Sequence, residues 1–108
     1  MEIVKGIPAS PGSAEGTAKI IMSLDDVGKF EPGDVLVTQA TSPAWTPLIA
    51  CANAVVTDIG GTLSHAAIVC REYGIPAVVG TTNGTQLIKN GQVIEVDGAT
   101  GVIKSMIE

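Results

Sequence analysis

Residues 54–79 constrain the fold more than any other stretch. Ala54-Val55-Val56-Thr57 is an apolar run of strand length, and it feeds into Asp58-Ile59-Gly60-Gly61. The two glycines allow a sharp backbone turn. Thr62 and Ser64 follow as hydroxyl residues suited to capping a helix, and an alanine-rich run from His65 carries that helix to Gly74-Ile75-Pro76. A left-handed glycine, an apolar clamp and then a proline make a clear stop. Ala77-Val78-Val79 reads as the next strand. The order is therefore strand, glycine loop, helix, strand. If the two strands are parallel in one sheet, the crossover is right-handed and ligands gather at the carboxyl ends of the strands. His65, the only histidine, falls there, at a helix N-terminus whose partial positive charge and unpaired N–H groups suit an anion better than a metal ion.

The flanking sequence supplies more strands. Met1–Gly6 reads as a short strand broken at Pro8, with a turn at Ala9-Ser10-Pro11-Gly12 and a longer strand over Ser13–Met22. Gly12 and Gly16 suit a turn and a bulge, or a surface that another domain approaches closely. Ser23–Val27 can form one capped helical turn ended by Gly28, and Glu31-Pro32-Gly33-Asp34 is a second turn. Val35–Thr38 is apolar throughout, as in a central strand covered on both faces. Ser42 or Thr46, each before a proline, suits the start of a short helix through Leu48–Ala52, with Trp45 as a packing anchor near the histidine loop. Thr81–Lys89 holds one helical turn around Gln86-Leu87-Ile88. Asn90-Gly91, the strand Gln92–Val96, the turn Asp97–Gly101 and the strand Val102–Lys104 complete the chain. Six or seven strands and two or three short helices predict an α/β domain with a mixed sheet.

At 108 residues this is a single domain spanning 1–108, too small to add a nucleotide-binding domain or a barrel of about 250 residues. With one Trp, one Tyr and one Phe, the core must be aliphatic. A net charge of −5 without a Lys/Arg cluster argues against nucleic acid or an anionic membrane as partner. Cys51 and Cys70 are too far apart for a Cys-x-x-Cys motif, and one histidine leaves too few ligands for a closed zinc site, so no metal is expected and the cysteines read as a buried pair of free thiols. No charged-then-apolar leader opens the chain, and no apolar run approaches the ~20 residues of a membrane span, which predicts a cytoplasmic protein.

A neutral imidazole nitrogen is a competent nucleophile near neutral pH and can accept a phosphoryl group and release it. The helix end favours the neutral ring and offsets the charge of the phosphorylated product. Gly60 and Gly61 can form a nest of N–H groups for phosphoryl oxygens, and Thr62 and Ser64 can cap the helix or donate to the same oxygens. Each helper contributes about 0.3–2 kcal/mol. Cationic or metal clamps usually dominate phosphoryl transfer, and the loop sequence holds neither. A structural histidine is the alternative. A Ser64–His65 hydrolase pair is disfavoured because adjacent residues on a helix do not face each other.

The run from Gly60 to Gly80 closely resembles the phosphohistidine signature of the PEP-utilising enzymes, a family that includes phosphoenolpyruvate synthase, pyruvate phosphate dikinase, enzyme I of sugar phosphotransferase systems and rifampicin phosphotransferase. Ser10-Pro11-Gly12 within Gly6–Gly16, Glu31–Val37, Thr41–Leu48 and Asn90–Val102 resemble further parts of the same domain, so nearly the whole chain is covered. The resemblance implies a swivelling β/β/α domain, with His65 at the phosphorylated position and Gly60, Gly61 and Ser64 in the loop around it. It implies a carrier that shuttles a phosphoryl group between an ATP-grasp nucleotide site and a PEP/pyruvate barrel, with ATP, PEP and Mg2+ held by those partners and no cofactor held by this domain, which is not expected to turn over alone. Leu63 stands where several members carry Thr, and with Trp45-Thr46-Pro47-Leu48 it is closer to the rifampicin phosphotransferase and phenylphosphate synthase type. Cys70 stands where alanine is usual and reads as a packing substitution. An excised domain and a separately encoded carrier both fit; Met1 and ends at the domain boundaries lean towards the second. The contrasting expectation is a non-catalytic swivel or interaction module in which His65 only caps the loop.

Overall fold

A computed structural model describes residues 1–106. Eight strands form β1 (Glu2–Lys5), β2 (Ile7–Ser10), β3 (Ser13–Ile20), β4 (Val35–Thr38), β5 (Ala54–Thr57), β6 (Ala77–Val79), β7 (Val93–Asp97) and β8 (Val102–Ser105), with helices α1 (Thr46–Cys51), α2 (His65–Tyr73) and α3 (Gly84–Leu87). Leu24–Lys29 and Pro43–Trp45 are 3-10 turns. The strand order is β1-β8-β7-β3-β4-β5-β6-β2. The expectation of an α/β domain with a mixed sheet holds.

Strand β3 is the pivot of this order. Its first half, Ser13–Thr17, pairs antiparallel with β7, while Ala18–Ile20 pairs parallel with β4. Strands β4, β5 and β6 continue the parallel set. The antiparallel half folds back over the parallel half, and Val35, Val37, Ala54, Val56 and Val78 meet Ile94, Val96 and Ile103 in one apolar layer. The alternate residues Leu36, Val55, Ala77 and Val79 face the other way, onto Leu48, Ile49, Ala66, Ala67 and Cys70 of the helices. The result is sheet on sheet on helices. This is why β4 and β5 are buried at every position: period-2 alternation delivers side chains to two different cores. Each fully buried Val or Leu contributes about 1.5–3 kcal/mol relative to exposure.

Several local expectations are corrected. The N-terminal strand is not lost at Pro8; Ile7–Ser10 is a second strand that pairs with β6 at the edge of the order, where a residue without an N–H is tolerated. Among the described residues the strand count is therefore eight, not six or seven. Gly28 does not end its turn, which runs on to Lys29, although Ser23 does cap it by accepting from the Asp25 N–H. Gly16 answers an approach within the chain: a Cβ there would lie 2.8 Å from the Gly33 carbonyl oxygen. The cysteines are not a buried pair, since Cys51 at the end of α1 is exposed while Cys70 on the inner face of α2 is buried.

Candidate functional site

Because β4, β5 and β6 are parallel, the segments that follow them emerge along one edge. These are Gln39–Ser42, Asp58–Ser64 and Gly80–Asn83. Backbone bonds join them: Ile59 N–H donates to the Gln39 carbonyl at 2.9 Å, Thr81 N–H to Thr57 at 3.1 Å and Thr82 N–H to Asp58 at 2.9 Å.

Helix α2 begins at this edge. Ser64 occupies the N-cap position in extended conformation, but its hydroxyl does not accept from the helix; Oγ donates to the Gly61 carbonyl at 2.7 Å. The expected cap is thus a clamp that closes the glycine turn. Thr62 contributes its carbonyl rather than a cap, accepting from Arg71 Nη2 at 2.6 Å. Gly60 sits at φ +131°, where a Cβ would lie 3.0 Å from Ser64 Oγ, so the turn requires glycine twice over. Among the described residues, the N–H groups of Gly60, Gly61, Thr62 and Leu63 donate to no protein acceptor, consistent with a nest. At the far end of the helix, Gly74 adopts the left-handed conformation at φ +70° and Ile75 N–H donates to Cys70, as the sequence stop predicts.

His65 is the first helical residue and is half-buried. Its Nδ1 lies 2.8 Å from Thr41 Oγ1. A threonine hydroxyl both donates and accepts, so it can partner Nδ1 whether or not that nitrogen carries the proton. The hydroxyl partner absent at Leu63 is therefore supplied across space, from the segment after β4. Ser64 does not pair with the imidazole. Trp45 is buried in the same cluster as Ala66 and Ala67, below this turn.

Three residues at the site escaped the sequence reading. Thr41 is the first. Arg71 is the second: besides Thr62 it donates from Nη1 to the Ala9 carbonyl at 2.8 Å, bringing a guanidinium to a loop expected to have no cation and tying it to β2. Its position near the C-terminal end of the helix gave no hint of that reach. Asp58 is the third. Its buried carboxylate accepts from Thr85 N–H at 2.9 Å, Thr85 Oγ1 at 2.6 Å and Thr81 Oγ1 at 3.4 Å. The bonds hold a turn in which Thr82 adopts φ +74°, a strained conformation for a β-branched residue. An acidic residue directly before a glycine loop was the available signal. Beneath the loop, burial pushes the Cys70 thiol up to about 12, partly opposed by the neighbouring Arg71 charge. Among the described residues, no three His, Cys, Asp or Glu side chains converge.

The edge thus presents one histidine at a helix start, beside a glycine turn, in a mixed α/β fold. The family model for the mobile domain of PEP-utilising enzymes matches residues 30–101, and the chain belongs to that family. It is 51% identical over 102 residues to the phosphoenolpyruvate synthase of Aeropyrum pernix, covering 94% of this chain and 12% of that protein. It is 48% identical over 103 residues to the rifampicin phosphotransferase of Bacillus cereus, covering 95% and 12%. It is 58% identical over 102 residues to chondramide synthase cmdD of Chondromyces crocatus, covering 94% of this chain and 3% of that protein. The chain thus spans a small share of these relatives and corresponds to one domain within them. Among solved structures, an Enzyme I fragment superposes with a TM-score of 0.62 at 34% identity, covering 72% of this chain and 32% of the other. Aconitase X of Thermococcus kodakaraensis superposes with a TM-score of 0.71 at 18% identity, covering 95% and 97%, a likeness of fold alone.

Proposed function

We propose that His65 carries a phosphoryl group on Nε2 between a donor and an acceptor site on other domains. The observation that carries this reading is the Thr41–His65 contact. With Nδ1–H donated to Thr41 Oγ1, the lone pair sits on Nε2, the ring edge not engaged by the protein. Attack by Nε2 on phosphorus breaks the donor's bond to phosphorus as the P–N bond forms, and the ring then sheds its Nδ1 proton to solvent. Thr41 reverses its role and donates to the bare Nδ1, so one hydroxyl serves both states. The Gly60–Leu63 N–H groups and the start of α2 are oriented to share the charge on the phosphoryl oxygens. Arg71 fixes the loop through Thr62, and Asp58 fixes the neighbouring turn.

The fold alone does not decide function; the 18% identical likeness to aconitase X makes the same point. The site and the named relatives support the reading. On it, the donor and acceptor are an ATP-grasp nucleotide site and a PEP/pyruvate site, Mg2+ and ATP or PEP are bound by those partner domains, and the carrier works in the cytoplasm. Magnesium there supplies charge neutralisation of the transferring group. Incubation of the chain with a phosphoryl donor followed by intact-mass measurement tests it. One acid-labile phosphoryl adduct is expected on the wild type and none on His65→Gln, with both folded by circular dichroism; an unchanged adduct on His65→Gln would falsify the assignment.

A further inference from the structure

Arg71 makes its bonds at the opposite end of the helix from its own Cα. It lies in the last turn of α2, about 9 Å along the axis from His65. Helical side chains tilt back towards the N-terminus, which carries the guanidinium in that direction. Its fork is then divided: Nη2 donates to the Thr62 carbonyl at 2.6 Å and Nη1 to the Ala9 carbonyl at 2.8 Å. Ala9 lies where the pairing of β2 with β6 shifts register between Pro8 and Ser10, a break in the ladder at which Arg71 takes the carbonyl. The carbonyl preceding Thr62, that of Gly61, is held as well, by Ser64 Oγ at 2.7 Å and by the Ser64 N–H at 3.0 Å. A trans peptide is planar, so its C=O and its N–H point in opposite directions. With the Gly61 and Thr62 carbonyls both drawn back towards α2, the N–H groups of the same two peptides, those of Thr62 and Leu63, face forward off the helix start. Neither donates to a protein acceptor among the described residues.

We propose, resting on the carrier reading above, that Arg71 and Ser64 are positioning residues that each aim one donor at the phosphoryl group. Arg71 aims the Leu63 N–H through the Thr62 carbonyl, and Ser64 aims the Thr62 N–H through the Gly61 carbonyl. Neither side chain touches the phosphoryl oxygens. The guanidinium adds a second effect, because a charged donor on the Thr62 carbonyl polarises that peptide and strengthens its N–H. The two aims differ in robustness. Without the Ser64 hydroxyl, Gly61 still has the Ser64 N–H; without Arg71, the Thr62 carbonyl has no other donor among the described residues. Arg71 therefore carries the larger share. Its fork spans two carbonyls on separate elements, which the single ammonium of a lysine does not reproduce.

The test uses the full chain, isotopically labelled for amide NMR, with phosphoramidate as donor. Nε2 attacks its phosphorus, the P–N bond of the reagent breaks, and ammonia leaves with the ring proton as ammonium. On phosphorylation of the wild type, the Thr62 and Leu63 amide protons are expected to move downfield as they donate to phosphoryl oxygens. In Arg71→Met the Leu63 shift is expected to be lost and the Thr62 shift kept. In Ser64→Ala the Thr62 shift is expected to shrink and the Leu63 shift to stay. The maximal labelling rate of Arg71→Met is expected to fall about 10-fold at an unchanged half-saturating phosphoramidate concentration. That is less than the loss of about 10²–10³ for a donor in a water-excluded site, because Thr62 and Leu63 are exposed. In Arg71→Lys the rate and the Leu63 shift are expected to move together. Wild-type Thr62 and Leu63 amides that do not move on phosphorylation overturn the proposal. So does a Leu63 shift that survives in folded Arg71→Met, an equal loss of both shifts in either variant, or a rate restored in Arg71→Lys without the shift. If circular dichroism shows Arg71→Met unfolded, the selectivity of Ser64→Ala for Thr62 over Leu63 decides. A wild type that phosphoramidate fails to label overturns the carrier reading itself, a distinct result.

Discussion

The carboxyl edge of the parallel strands and the outer face of the antiparallel sheet are built to opposite rules. At the edge, the Asp58 carboxylate is buried, the Arg71 guanidinium holds the Thr62 carbonyl, several backbone N–H groups have no protein acceptor among the described residues, and Asp58 holds the strained turn at Thr82. On the outer face, Glu2, Glu15, Glu95 and Lys104 stand in one cross-strand row, paired by register as Glu2↔Lys104, Glu95↔Lys104 and Glu15↔Glu95. The first region accepts local backbone strain around the half-buried His65 ring. The second places charged side chains on the outside of an aliphatic-cored domain, away from the histidine edge.

The two regions are coupled where the antiparallel half closes onto the parallel half, and breaking that closure is expected to have the largest effect. Gly98, in the turn between β7 and β8, is packed so that a Cβ would overlap the Ser10 carbonyl and lie 3.0 Å from the Ala77 N. Neither neighbour is a flexible side chain. Gly98→Ala is expected to destabilise by about 3 kcal/mol, at the upper end of overpacking costs, read as a fall in the urea midpoint. A midpoint unchanged from wild type would show that the two halves are not held in this register.

Thr41→Val separates the edge from the fold. The swap keeps shape and removes the hydroxyl from Nδ1, so the ring loses its orientation and its tautomer preference. Phosphorylation of His65 is expected to slow about 10–100-fold, the scale of a misplaced reacting group. Stability is expected to change by under about 1.5 kcal/mol, because the bond is only partly buried. Thr41→Ser should restore most of the rate.

Thr41 also shows how far the sequence could be read. The strand-loop-helix-strand unit was legible because apolar runs, paired glycines and the Gly-Ile-Pro stop are local signals, and His65 was legible as the only histidine within it. The pairing of Thr41 with His65 joins residues 24 apart, and it depends on β4 lying parallel beside β5. The same holds for Arg71 reaching Ala9 across 62 residues. Strand β2 was missed because Pro8 reads as a breaker until its edge position is known. Ser64 stands at the N-cap position but does not make the cap bond, one of the two roles the sequence offered, since a hydroxyl there can equally turn back to close the preceding turn.

The interior beneath the helix gives a pH-dependent contrast. Burial pushes the Cys70 thiol up to about 12, from 9.0 for a thiol in water. The folded state therefore keeps a proton that the unfolded chain loses. This contribution is fully present below pH 9 and falls as pH rises towards 12, by up to about 1.4 kcal/mol per pH unit. Urea midpoints are expected to drop over that range more steeply for wild type than for Cys70→Ala. Iodoacetamide on the native protein should modify Cys51, which is exposed, and spare Cys70.

The smallest expected effect tests the charged face. Glu15 and Glu95 are directly opposed across an antiparallel pair, and like charges so placed repel. Ser13 Oγ donates to Glu95 at 3.4 Å, a long bond that relieves little of this. Glu15→Gln removes the repulsion without touching the core or the edge, so stability should rise by about 0.2–1 kcal/mol, less in high salt. The phosphorylation rate of His65 should not move. A rise in stability with an altered rate would mean that the field of the outer face reaches the histidine, and the division between the two regions would then be one of degree.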